Sequence, residues 1–461
     1  MMNQAIYKWE ARHASIFNAL VEKLNKSGVK YFILRNYEGL PEVNESKDID
    51  IIIEPGSYKQ AASFMYEALK ENNVPNYYVV RYERVRCWLG MDVEADFSIH
   101  IDLIEGYLNK GFELFKFSEL YEQTHLYKNF RVLDDAMDVS MLLLYKVIAA
   151  KQLKSSYRKK ISSVYPLQKK HVDKILVKVL GEKLASEVIY DLDNENYDAI
   201  CDKAHLISKV SKNKAFFKHP LTTSWNTTKF FSEKLYRIGW CPNKFKKFFA
   251  VEAPDGTGKT TFIDGLNVKL AEMFVTDIEK MHVYHFRPTI LPNLGAVGEK
   301  ATAGKVKQDT DFTNPHRNPP ANPLSSFIRM TYYWLDYLLG GLICLRKDVQ
   351  FDKFSIFDRY IYDFIVDPKR SRINLPMWLR KLYTKLVYQP HFVFVLLCDA
   401  QTIYKRKQEL TLDEIDRQLK VFNGLAESGK RFVKLNAAQT PDAIVKDALK
   451  ILIDKYTLKI K

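Results

Sequence analysis

FFAVEAPDGTGKTTFIDGL, residues 248 to 266, carries the densest set of chemically able residues in the chain. From Ala253 to Thr260 its spacing matches G-x-x-x-x-G-K-[ST], with Ala253 in place of the first glycine. The apolar run before it and the amphipathic run after it predict a strand, a tight turn and a helix. In such a turn Gly256 and Gly258 let backbone N–H groups converge on phosphate oxygens, and the helix dipole adds to the attraction. Asp255, Gly256, Thr257, Gly258, Lys259, Thr260 and Thr261 are therefore the expected cofactor-binding residues. Lys259 would reach the β- and γ-phosphates, and the Thr260 hydroxyl would coordinate Mg²⁺.

A second signal follows about a hundred residues later. FSIFDRYIYDFIVD (354 to 367) reads as an apolar strand ending in Asp358-Arg359-Tyr360. A carboxylate at the C-terminal end of a strand sits where open α/β sheets bind ligands. Asp358 could hold Mg²⁺ through water or assist an acceptor, and Arg359 could fork onto an acceptor phosphate.

A third set lies near the N-terminus. In VKYFILRNYEGLPEVNESKDIDIII (29 to 53), Asp48 and Asp50 are two apart on a strand and point to one face. Asp102, in IHIDLIEGY, lies on another strand. Three carboxylates on adjacent strands could bind divalent cations and align a nucleotide's phosphates for in-line attack.

These residues need rigid elements behind them. Helical spacing over 7 to 26 puts Ile16, Leu20, Val21 and Leu24 on one face, and Gly28 ends that helix. Strands are expected at 29 to 36 and 47 to 54, and a helix from Tyr58 to Glu71. Two further strand-like runs follow, Asn76 to Leu89 and Ala95 to Leu103. This alternation describes a small α/β domain over residues 1–130. A helical, basic middle segment covers 131–240, Trp240 to Lys244 reads as a linker, and a second α/β domain covers 246–461. The fold class is α/β, the second domain having a parallel sheet with helices on both faces. The stretch from Thr289 to Pro323, rich in Gly, Ala, Asn and Pro, is expected to be a long functional or disordered loop.

Composition agrees with this plan. A chain of 461 residues exceeds one typical core, and 47% apolar with 13% aromatic residues excludes a mainly disordered protein. Its 70 basic and 55 acidic residues give a formal charge of +15, which favours anionic partners. Ten of the basic residues fall between Lys146 and Lys178 against one acidic residue, Asp173. That segment is either a solvated helix face or a nucleic-acid surface, although few aromatics are interleaved for stacking. Five scattered cysteines, with no C-x-x-C pair and no His cluster at metal spacing, argue against a zinc site or a disulfide framework. They fit a reducing cytoplasm. The N-terminus lacks a signal-peptide apolar region, and the run Tyr332 to Leu345 is too short to span a bilayer and contains Asp336.

The second half resembles the thymidylate kinase family. That family's phosphate loop reads E-G-x-D-G-x-G-K-[ST], beside Glu252-Ala-Pro-Asp255-Gly-Thr-Gly-Lys-Thr here, and its later signature D-R-[YH] is matched by Asp358 to Tyr360. The resemblance covers 246 to the end of the chain. It implies an ATP–Mg²⁺ phosphotransferase with a five-stranded parallel sheet, a nucleotide or other phosphorylated small molecule as acceptor, and a homodimer that the N-terminal half could block. By that likeness Asp255 contacts the acceptor's sugar, Arg287 its phosphate, and Arg359 and Tyr360 complete the acceptor site. QTIYKRKQELTLDEIDRQ (401 to 418) would be the lid, with Lys405, Arg406, Lys407 and Arg417 able to close over the donor, Arg406 supplying charge to the transferring group. Lys259, Asp358, Arg359 and Arg406 are thus the catalytic candidates. Two departures count against thymidylate as acceptor. Phe327 and Arg329 stand at a different spacing from the family's base-reading Phe and Arg, and 289 to 323 is an insertion.

Residues 1 to about 130 resemble the nucleotidyltransferase fold, which implies metal ligands Asp48, Asp50 and Asp102. The family's Gly-Ser or Gly-Gly turn is Leu34-Arg35-Asn36 here. Arg35 could bind phosphate itself, or the domain could retain the fold alone. Three readings follow: a kinase fused to a nucleotidyltransferase-like domain on one pathway, a nucleotidyltransferase acting on RNA or protein under control of the kinase half, and a non-catalytic ATP-gated binding protein.

Overall fold

The computed structural model describes residues 9–44, 46–238, 247–292, 294, 316 and 319–461. The linker 240–244 and most of 289–323 lie outside the described residues. The chain forms two compact units, one of Tyr7–Lys234 with Tyr456–Lys461, the other centred on Leu235–Lys455. Both are α/β.

The first unit is built on a mixed eight-stranded sheet of β1 (Tyr31–Ile33), β2 (Ile49–Ile53), β3 (Asn76–Tyr82), β4 (Val85–Asp92), β5 (Phe97–Glu105), β6 (Thr124–Tyr127), β7 (Phe130–Leu133) and a late strand, here β13 (Leu458–Lys459). Its order is β13-β3-β4-β5-β2-β1-β7-β6. β2 reads Ile-Asp-Ile-Ile-Ile, a β-branched run suited to a buried central strand. Alternation along the strands separates two faces. Ile51, Ile53, Ile101 and Leu103 pack with Phe17, Leu20, Ala61 and Met65 of the helices Ala11–Ser27 and Tyr58–Glu71. Phe32, Ile52 and Ile104 face the other way, into a core shared with helices between Asp135 and Lys218.

Sequence and structure differ at two places here. The run 76–89, read above as one strand, is a hairpin: β3 and β4 pair antiparallel with Tyr82 opposite Val85. The turn lacks Gly, Pro and Asn; Glu83 takes φ 52° instead, and its N–H donates to the Glu233 carboxylate at 2.8 Å. The run 29–36 shortens to β1, because Asn36 adopts φ 54° and the chain turns away. Much of the basic segment's charge is neutralised within the unit. Arg158 pairs with Asp198, Lys160 with Asp138 and Glu38, Lys169 with Asp193, and Lys178 with Glu119.

The second unit has a five-stranded parallel sheet of β8 (Phe248–Glu252), β9 (Met281–His285), β10 (Phe354–Asp358), β11 (Phe392–Leu397) and β12 (Phe432–Asn436). The order is β12-β11-β8-β10-β9, so β8 is central and its neighbours lead away on both sides. Ala250, Phe357, Val393 and Val395 pack into one aromatic-rich core with Tyr337, Tyr360 and Phe364. Among the described residues no helix is long and apolar enough to cross a membrane.

β13 completes the first unit's sheet. It pairs antiparallel with the edge strand β3, and Ile460 N–H donates to Pro75 O at 2.9 Å. Asn76 Nδ2 also donates to Thr457 Oγ1 at 2.9 Å. A chain cut after Tyr456 is expected to lose about 1–3 kcal/mol of stability in this unit, from a few net hydrogen bonds of ~1 kcal/mol each. Hydrogen exchange checks this: amides of β3 facing β13 should exchange faster, while those of β10 keep their rate.

Candidate functional site

At the C-terminal end of β8 the chain must turn sharply into the helix Lys259–Met273, and two glycines make this possible. Gly256 has φ 89° and Gly258 φ 90°, values that a side chain disfavours. Gly256 is also closely packed. A Cβ there would lie 3.0 Å from Lys407 Cβ and 3.1 Å from Ile403 O, at the end of the helix Ala400–Arg406. Nothing lies within 4 Å of a Cβ on Gly258. Ala253 is fully buried in the position of the pattern's first glycine. Buried Thr257 donates its hydroxyl to Pro254 O at 2.8 Å. Thr260 and Thr261 are exposed on the helix's first turn.

The neighbouring strand β10 delivers the second motif to this turn. Val251 of β8 is the register partner of Asp358. Lys259 Nζ consequently meets Asp358 Oδ1 at 3.0 Å, and His285 Nδ1 lies 3.4 Å from Asp358 Oδ2. Burial, then Arg359, pull the Lys259 ammonium below its ordinary value, while Asp358 and Asp255 oppose the shift.

Arg359 occupies φ 71°, rare for a residue with a side chain, and its N–H donates to Val251 O at 3.0 Å. Its guanidinium bridges Asp363, at 2.8 Å, and Asp255. A second arginine, Arg370, grips the other Asp255 oxygen and reaches Asp367 at 3.3 Å. Burial alone would raise the Asp255 carboxyl, but Arg359, Arg370 and Lys259 outweigh it and hold the group well below the ordinary range.

Beneath these charges lies Glu252, the last residue of β8, 1% exposed. Its Oε1 accepts the Tyr360 N–H at 2.8 Å, whereas buried Oε2 has no hydrogen-bond partner. Burial, and then the nearby Asp363, push its carboxyl well above the ordinary range.

The remaining predicted residues are placed as follows. Tyr360 is 1% exposed, a core residue whose hydroxyl donates to Tyr388 O at 2.6 Å. Arg287, 5% exposed, pairs with Asp336 at 3.0 Å under the Tyr333 ring. Arg406 is exposed and donates to Ala437 O at 3.3 Å. Lys405 is exposed, Lys407 pairs with Glu409 at 3.0 Å, and Arg417 grips Glu414 and Val366 O. Arg370 and the perturbed Glu252 escaped sequence reasoning. The only trace of Arg370 was the D-P-K-R run at 367–370, and burial is what shifts Glu252.

In the other unit, Asp50 and Asp102 are register partners on parallel β2 and β5. Oxygens of Asp48, Asp50 and Asp102 all lie within 4.8 Å of one another. Ser46 Oγ donates to Asp48 Oδ1 at 2.8 Å, and the Arg35 guanidinium pairs with Asp50. Burial raises the Asp50 carboxyl to about 6; Arg35 opposes this and the other two aspartates add to it. Lys146, in a π-turn at Leu142–Lys146, is pulled down to about 8 by burial and by Arg35. Three carboxylates and two cations are thus enclosed together.

No protein-family model matches the chain. No curated protein matches it. Among solved structures, a thymidylate kinase from Ehrlichia chaffeensis is similar over 44% of this chain and 97% of its own length, with 16% identity and a TM-score of 0.29.

Two outcomes follow from this geometry. Gly258→Ala meets only the torsional cost of about 1–2 kcal/mol, whereas Gly256→Ala adds a collision with the helix ending at Arg406. Gly256→Ala should therefore lower the thermal midpoint of this unit more than Gly258→Ala. For Asp255, the depressed carboxyl means a stabilising contribution that is present above the unfolded pKa and lost as pH falls. The stability gap between the unmodified chain and Asp255→Asn, measured by denaturant unfolding, should be widest above about pH 5 and narrow progressively as pH falls below about 4.

Proposed function

We propose that the second unit is a P-loop phosphotransferase moving the γ-phosphoryl group of ATP, with Mg²⁺, to a nucleotide or another phosphorylated small molecule. The observation that carries this reading is the pairing of Lys259 with Asp358 across adjacent parallel strands, directly beside a two-glycine turn at a helix N-terminus. Backbone N–H groups from Gly256 to Thr261 hold the donor phosphates, and Lys259 moves from Asp358 onto them. Mg²⁺, when bound, neutralises charge on the phosphates; the exposed Thr260 hydroxyl and the Asp358 carboxylate would hold it. Arg359 and Arg370, fixed by Asp255, Asp363 and Asp367, face the acceptor's phosphate, and Arg406 brings charge from the lid.

The convergence of Asp48, Asp50 and Asp102 supports a second reading, for the first unit. It binds a divalent cation and carries out nucleotidyl transfer, with Arg35 and Lys146 at the nucleotide's phosphates. Arg35 stands where the family it resembles has small residues, and Asp50 holds it in place.

An ADP-release screen against nucleoside monophosphates and sugar phosphates tests the first reading. Lys259→Ala and Asp358→Ala should each reduce the rate about 10²–10³-fold with the accepted substrate, the loss typical of one charge-stabilising group. Turnover unchanged in Lys259→Ala would remove the proposal. For the second reading, metal-dependent pyrophosphate release from a nucleoside triphosphate should disappear in Asp50→Asn and persist in Lys259→Ala.

A further inference from the structure

Beside Asp102 the first unit's sheet carries two softer donors. Cys87 of β4 is the direct antiparallel partner of Asp102 on β5, and His100 precedes Asp102 by two residues. Strand alternation therefore brings all three side chains out on one face. Cys87 Sγ, a His100 ring nitrogen and an Asp102 oxygen all lie within 4.8 Å of one another. His100 Nε2 is 2.8 Å from Asp102 Oδ1, while its buried Nδ1 has no hydrogen-bond partner. Cys87 is buried and forms no disulfide, and its sulfur lies beside the Asp102 carboxylate.

A buried cysteine is commonly core filler, and a His–Asp contact is commonly an ion pair. Neither reading accounts for an imidazole nitrogen left without a partner in a polar cluster, where burial makes the omission costly. A cation seated among the three donors would take the place of the His100–Asp102 contact.

We propose that Cys87, His100 and Asp102 bind a thiophilic divalent cation of the Zn²⁺ class, next to the all-oxygen cluster of Asp48, Asp50 and Asp102 and sharing Asp102 with it. A sulfur, nitrogen and oxygen set selects Zn²⁺ over Mg²⁺, and three protein ligands leave a fourth position open. Zn–S of about 2.3 Å and Zn–N of about 2.0 Å require donors about 3.5 Å apart, so a side-chain adjustment on the order of 1 Å closes the site. On loading, the Cys87 thiol gives its proton to solvent and binds as thiolate. The scattered cysteines conceal this site because strand register, not a local motif, assembles it. The proposal goes beyond the nucleotidyl-transfer reading and shares only Asp102 with it.

Anaerobic titration of the full chain with Co²⁺ tests the proposal through the thiolate-to-cobalt charge-transfer absorption. The band should saturate near one equivalent, bleach on adding Zn²⁺ and resist excess Mg²⁺. It should vanish in Cys87→Ser, require at least tenfold more Co²⁺ in His100→Gln, and persist in Asp48→Asn, which removes a ligand of the oxygen cluster only. Absence of the band in the unmodified chain, or its survival in Cys87→Ser, overturns the proposal. Should the variants fail to fold, Zn K-edge absorption of the unmodified chain loaded with one equivalent decides. A coordination shell containing one sulfur supports the site, and a shell of nitrogen and oxygen alone overturns it.

Discussion

The second unit depends on one register. β8 and β10 run parallel with Val251 opposite Asp358, so two segments about a hundred residues apart end side by side. Without that alignment Lys259 would be a buried ammonium lacking a carboxylate, and Arg359 would have no reason to accept its left-handed backbone. The Arg359 N–H to Val251 O bond extends the ladder by one step past the strand and turns the guanidinium toward Asp255. Hydrogen bonding in the sheet thus sets the positions of the charges above it.

Both units enclose opposite charges together at strand ends, and each handles the cost of burial differently. In the second unit two arginines grip the single carboxylate of Asp255 and hold it well below the ordinary range, while burial pushes Glu252 below it well up. In the first unit three aspartates face Arg35 and Lys146, and burial moves Asp50 up and Lys146 down toward neutrality. A cluster whose members are shifted against their charged forms in this way is poorly satisfied by its own side chains. An incoming cation on the carboxylates, or an anion on the two bases, would reverse those shifts.

Local chemistry was legible in the sequence to the extent that it was local. The helix Tyr58–Glu71 could be read residue by residue from its apolar spacing. The i, i+2 relation put Asp48 and Asp50 on one side, and the glycine spacing located the turn. The hairpin at Glu83-Arg84 could not be read, because its left-handed residue is a glutamate whose N–H is satisfied by Glu233, 150 residues away. Arg370 and the shift of Glu252 were hidden for the same reason, since each depends on surroundings that only folding brings near. Tyr360 sits inside the D-R-Y motif yet serves the core: it lies past the end of β10, after the left-handed turn at Arg359, and is buried.

β13 gives the molecule an order of assembly. Its two residues, at 458 and 459, close the edge of a sheet whose other strands all lie before residue 134. During synthesis β3 therefore stands as an open edge while the more than three hundred residues between it and β13 are made. An open edge is a template for pairing with other chains, and Tyr77, Tyr78 and Val79 make this one apolar. The nascent first unit is therefore exposed to misassociation until β13 has been made and covers β3.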